Sequence, residues 1–185
     1  CIFAKDTLAT WKAPAGVALN SDFTVKVRLQ DGVWHTLSSY LIKVDEVRDT
    51  RHYVENASMA IFDFTGKVEV AVTYNLGEVQ TAKVRPLSYD IPFQIDGNTV
   101  TFTLEHPRNL SVEVNGDIFH NLHLFTGSPE RTIPDKDNPE VIYFGPGIHT
   151  VKNGELRVPS GKTVYLAGGA VLMGRVLIEN VHDVK

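Results

Sequence analysis

One cysteine, two tryptophans and two methionines among 185 residues remove several possibilities at once. Cys1 has no second cysteine to pair with and no histidine close by, which excludes an internal disulfide framework and argues against a thiol catalyst or a thiolate metal site. No run approaches the ~18 apolar residues that a membrane-crossing helix requires. Blocks of one charge are also missing: 18 Lys+Arg against 22 Asp+Glu leave a net charge of -4, and without a basic stripe no nucleic-acid partner is expected. Apolar residues at helical spacing are absent too, so no amphipathic helix is expected. Position 1 is Cys rather than Met. The expectation is a chain trimmed from a longer protein, with a lipoprotein anchored through that cysteine as the other reading.

What is present is β-strand patterning. Phe23, Val25, Val27 and Leu29 alternate with polar residues, and the turn Gln30-Asp31-Gly32 leads to Val33-Trp34-His35-Thr36-Leu37, the pattern of a hairpin. Further strand runs are expected at 40–44, 59–64, 68–74, 79–84, 91–95, 100–104 and 110–114. Thr65-Gly66, Asn75-Leu76-Gly77, Asp96-Gly97-Asn98 and Asn115-Gly116-Asp117 supply turns between them. About nine short alternating strands imply an antiparallel β-sandwich over residues 1–125. Residues 126–140 hold three prolines and few apolar side chains and read as a linker.

From 141 to 185 the pattern changes to a repeat. Ile142-Tyr143-Phe144 returns as Val164-Tyr165-Leu166 and again as Val184-Lys185. Ile148-His149-Thr150-Val151 returns as Ala170-Val171-Leu172-Met173, and Leu156-Arg157-Val158 as Val176-Leu177-Ile178. Three interleaved strand signals with Gly-rich corners and one shared period are the signature of a parallel β-helix. The expected fold class is therefore all-β, an antiparallel sandwich followed by the start of a right-handed parallel β-helix. Two rungs bury little against each other, so the solenoid is expected to continue past Lys185.

The run Val141-Ile-Tyr-Phe-Gly-Pro-Gly-Ile-His149, together with 156–174 and 178–185, resembles the opening coils of polygalacturonase-type and dextranase-type glycoside hydrolases. Asn109 to Phe125 resembles the end of the sandwich that precedes the helix in some of those enzymes. This resemblance implies an N-terminal, non-catalytic portion of a polysaccharide-degrading enzyme, with polysaccharide as the whole protein's partner, no cofactor, and an extracellular or periplasmic location. The family's Asn-Thr-Asp, Asp-Asp, Gly-His-Gly and Arg-Ile-Lys motifs are not found here. Glycoside hydrolysis needs two positioned carboxyl groups, so no catalytic residue is assigned and the chain is expected to be inactive.

Other chemistry is thin. His120 and His123 sit three apart on a strand pattern, which turns them to opposite faces and away from a shared metal. Asp117 reads as a turn residue, and Asp135 and Asp137 as solvated linker charges. Ala167-Gly168-Gly169-Ala170 lacks the Lys-Ser/Thr pair and following helix of a phosphate loop. Asn56-Ala57-Ser58 and Asn109-Leu110-Ser111 match the glycosylation sequon.

For the sandwich two roles stay open. One is to cover the first rung of the β-helix. The other is carbohydrate binding through exposed aromatic rings, with Trp34, Trp11 and Tyr40 as the ligand-binding candidates, unless Trp34 packs in the core. The apolar edge over residues 170–185 is expected either to self-associate or to be locally disordered.

Overall fold

The computed structural model describes residues 6–30 and 32–185. Cys1, with the lipid anchor it would carry, and Asp31 of the expected hairpin turn lie outside the described residues. Among the described residues the protein is all-β, apart from one 3-10 turn at Leu87–Tyr89. It divides into two compact units. The first runs up to Trp11 and then takes Ala18–Pro129, and the second comprises Lys12–Val17 and Glu130–Lys185.

The first unit contains two sheets. In one, β2 (Phe23–Leu29) lies between β3 (His35–Thr36) and β6 (Val68–Tyr74), followed by β9 (Thr99–Leu104) and β8 (Phe93–Asp96). All its pairings are antiparallel. The strict alternation of β2, β6 and β9 explains this arrangement. Val25, Val27, Val68, Val70, Val72 and Val100 point one way and are completely buried, while their neighbours face water. On the wet face Arg28 stands opposite Glu69 in register and its guanidinium donates to Glu69 Oε2 at 2.6 and 2.8 Å.

The other sheet runs β1 (Thr7–Thr10), β5 (Arg51–Thr65), β11 (Asp117–Gly127), β10 (Leu110–Val114) and β7 (Ala82–Arg85), with β4 (Tyr40–Arg48) also paired to β5. Its inward row includes Ala60, Phe62, Phe64, Leu110, Val112, Val114, Leu122 and Leu124. One hydrophobic cluster draws on both sheets. At ~1.5–3 kcal/mol for each fully buried large apolar side chain, this cluster is the main stabilising term of the unit.

Several sequence expectations change here. The sheet is not purely antiparallel, because β11 runs parallel to β5, with Leu122 opposite Ser58 and Thr126 opposite Phe62. β11 was not anticipated as a strand of its own, nor was β1. The run expected at 59–64 is a strand of 15 residues, because β4 and β5 extend as a two-stranded ribbon to Arg48 and Arg51. Charged and apolar residues are mixed along that ribbon, with Val47, Tyr53 and Val54 exposed, so apolar alternation does not mark it. Asp49, with φ 56°, makes its tight turn, a backbone region that Asp tolerates better than most residues. The expected 79–84 and 91–95 strands are shorter and shifted, to Ala82–Arg85 and Phe93–Asp96. In the loop before β7, Asn115 Oδ1 accepts from the backbone N–H of Gln80 and Thr81, and its Nδ2 donates to Glu78 O.

Residues 128–140 form neither strand nor helix. Asx-type contacts punctuate them: Asp135 Oδ1 accepts from Asp137 N–H, and Asn138 Oδ1 from Glu140 N–H.

The second unit is built of parallel pairs. β12 (Val141–Phe144) pairs with β14 (Thr163–Leu166), placing Tyr143 opposite Tyr165. β13 (Gly147–Arg157) pairs with β15 (Ala170–Leu177). Backbone bonds carry the stack to a third level, from Val164 N–H to Lys185 O at 2.8 Å, from Lys185 N–H to Lys162 O at 3.1 Å and from Gly161 N–H to His182 O at 3.0 Å. One register differs from the sequence reading. Ile148 faces Val171, not Ala170, because the corner after Leu166 is one residue longer than the corner after Phe144. A second shift falls between Thr150 and Glu155, where Asn153 and Gly154 adopt positive φ and the longer β13 loops out. Gly174 faces that loop. A Cβ there would lie 2.4 Å from Val151 Cγ2 and 2.9 Å from Gly154 O, at φ +153°, so only glycine fits.

Candidate functional site

The three aromatic candidates occupy different environments. Trp34 precedes β3 and is not in the core, being 37% exposed. The expectation that it packs inside fails because a polar partner holds it at the surface: the Arg28 guanidinium lies 4.5 Å from the ring centroid, a cation-π contact, while also bound to Glu69. One face of the indole is therefore occupied. Trp11, just after β1, is half-buried. Tyr40 opens β4 in the other sheet, also half-buried, with burial pushing its phenol above the ordinary value. Among the described residues no ring-to-ring contact joins these three.

The six-stranded sheet carries a concavity that sequence reasoning missed. Registers across β5, β11, β10 and β7 set Met59 beside His123, His123 beside Ser111, and Ser111 beside Arg85, a row on the face opposite the buried Leu122, Leu124 and Val112. Tyr40 extends the same row through its pairing with Met59. Around Ser111 the surface sinks into a pocket of about 410 Å3 lined by Arg85, Pro86, Asn109, Leu110, Ser111, His123 and Phe125. His123 and Phe125, two residues apart on one strand, stack with centroids 6.4 Å apart and planes 15° from parallel. Burial pulls the His123 imidazole below its ordinary value, which keeps it neutral at pH 7.

Beside the pocket, Arg85 Nε donates to Glu113 Oε1. Glu113 is buried, and its Oε2 has no hydrogen-bond partner. No local pattern marks these groups, because the pocket is assembled from strands far apart in sequence. Asn109 and Ser111 drew notice only as a sequon, and His123 only as a poor metal ligand.

His120, the other histidine of the pair, meets different partners. Its Nδ1 is 2.9 Å from Asp117 Oδ2 and its Nε2 3.1 Å from Glu55 Oε2. The Asp117 hydrogen bond, with both carboxylate charges, raises its pKa against the opposing effect of burial. Asp117 is the first residue of β11, just after the Asn115-Gly116 turn, its Oδ1 accepting from Phe119 and His120 N–H. Burial acts to raise the Asp117 pKa, but these bonds and the His120 side chain outweigh it and the pKa is lowered. Glu55 also lies 4.0 Å from Arg48, which binds Glu46 at 2.5 Å. Among the described residues no three or more His, Cys, Asp or Glu side chains converge as for a metal ion.

In the second unit Tyr143 and Tyr165 lie with centroids 5.1 Å apart. The Tyr165 hydroxyl donates to Glu130 Oε2, and chiefly through that bond its pKa is pushed up to about 12. No helix among the described residues is long and apolar enough to cross a membrane.

The sequence matches no protein-family model and no curated protein. Among solved structures the protein is similar to Dex49A from Penicillium minioluteum, with a TM-score of 0.60 at 17% identity over 90% of this chain. The chain spans 46% of that structure's length. At this identity the likeness is one of fold.

Proposed function

We propose that this chain is the non-catalytic N-terminal portion of a polysaccharide-degrading glycoside hydrolase. In this reading residues 1–125 form a β-sandwich, 126–140 a linker and 141–185 the first coils of a right-handed parallel β-helix whose later coils carry the catalytic carboxyl pair. The observation that carries it is the parallel pairing of β12 with β14 and of β13 with β15, continued in backbone bonds to Lys185. That stacking, in the segment where the sequence resembles the opening coils of dextranase-type and polygalacturonase-type enzymes, joins a fold likeness to Dex49A over most of the chain. Exposed Leu166, Met173, Val176 and Ile178 are the apolar surface that further coils would cover. The sandwich then supports the solenoid, and the location is extracellular or periplasmic.

The test is an assay for new reducing ends on dextran, polygalacturonan and related polymers. We expect none above background from this 185-residue chain. Turnover that disappears when one of its carboxylates is changed would overturn the reading.

A second role for the sandwich, contact with the polysaccharide, is favoured by the exposed Trp34 and by the position of Tyr40 in line with the His123 pocket. Trp11 completes the set of aromatic candidates. The open edge of β15 within residues 170–185 is the surface through which copies of this chain would self-associate.

A further inference from the structure

We propose that the pocket around Ser111 is a binding site for a neutral pyranose unit of a polysaccharide. The ligand class rests on the glycan-degrading reading above, whereas the site rests on its own geometry. Sugar recognition needs a flat apolar surface for the C–H face of the ring and several hydrogen-bonding groups at its edge. Phe125, 37% exposed, supplies the surface, and His123 stands nearly parallel to it on the same strand, 6.4 Å away between ring centroids. Arg85, Asn109 and Ser111 line the same hollow and supply the edge groups. Its volume of about 410 Å3 falls within the ~300–1,000 Å3 of small-molecule sites.

The charge balance selects the sugar. Arg85, the cation of the pocket lining, is already matched by the buried Glu113. The pair therefore offers hydrogen bonding without an unmatched charge, which suits hydroxyls, whereas a uronate carboxylate would require a free cation. With His123 neutral at pH 7, its ring stacks without importing charge, and one nitrogen donates while the other accepts. Trp34 lacks this combination because Arg28 covers one of its faces.

The experiment titrates the 185-residue chain with isomaltotriose, cellotriose and mannotriose, and with trigalacturonate, following aromatic ring signals by NMR and heat by calorimetry. At least one neutral trisaccharide should shift the His123 and Phe125 ring signals saturably, and trigalacturonate should bind more weakly. Phe125→Ala should weaken the neutral ligand about tenfold, while Leu76→Ala, at an exposed position outside the pocket lining, leaves it unchanged. Asn109→Ala, at an exposed position before β10, should also weaken binding and guards against misfolding of the Phe125 variant. The proposal is overturned if no neutral trisaccharide shifts these rings, if trigalacturonate binds better, or if binding is lost with Trp34→Ala and kept with Phe125→Ala. Failure of the enzyme reading shows separately, as reducing ends released by this chain.

Discussion

His120 links Glu55 of β5 to Asp117 at the start of β11, near where the β4–β5 ribbon leaves the sheet. Its pKa is raised above the ordinary 6.5, so the folded state binds the proton more tightly than the unfolded chain. The stabilisation is complete below the unfolded value and is lost as pH rises through the raised one. The His120 side chain is 46% exposed, so solvent screening keeps the effect small. His123, whose pKa burial lowers, contributes in the opposite sense, so we expect His120→Gln to make the urea midpoint of the protein fall less, or rise more, between about pH 6 and pH 8 than it does in the parent protein. Identical pH profiles for the two proteins would show that the two carboxylates do not hold the imidazolium. Sequence reasoning found the turn at Asn115-Gly116, which is local chemistry, although Asp117 itself opens β11. It did not find Glu55, because that contact depends on the parallel pairing of β5 with β11.

At the scale of elements, the second unit depends on how its strands change register. Gly174 permits β15 to pass under the loop that β13 throws out between Thr150 and Glu155. Gly174→Ala combines a disfavoured φ with a backbone clash and should cost about 1–3 kcal/mol, read as a lower thermal midpoint. An unchanged midpoint would mean that the loop yields easily. On β15 and just beyond it, Met173, Val176 and Ile178 are exposed beside a strand edge with no neighbour in the described structure. Edges of this kind accept another strand, and re-covering a few hundred Å2 of apolar area at ~25 cal/mol per Å2 amounts to several kcal/mol. Light scattering should therefore show an apparent mass that rises with concentration and falls on Ile178→Lys. A concentration-independent mass would remove self-association from the picture. The repeat that defines these strands was legible in the sequence because strands paired in parallel and in register carry similar apolar runs. The one-residue offset at Ile148 was not, since it depends on the length of a corner whose glycines read alike.

For the whole molecule, the alternations in β2, β6, β9 and β10 predicted the all-β class and about half of the buried apolar residues, because period-2 burial on a half-wet sheet is written residue by residue. The paired runs at Ile142 and Val164, and at Leu156 and Val176, likewise announced their parallel partners. The outer part of the β4–β5 ribbon escaped notice for the same physical reason: its Val47, Tyr53 and Val54 are exposed, and no apolar row alternates into a core there. Only the tertiary structure decided that β11 enters beside β5 in parallel, that Arg28 keeps Trp34 at the surface, and that Arg85, Ser111 and His123 meet on one row. These are contacts between residues distant in sequence, fixed by which strand lies next to which and in what register, and a one-residue slip of β11 would turn His123 and Phe125 to the other face of the sheet.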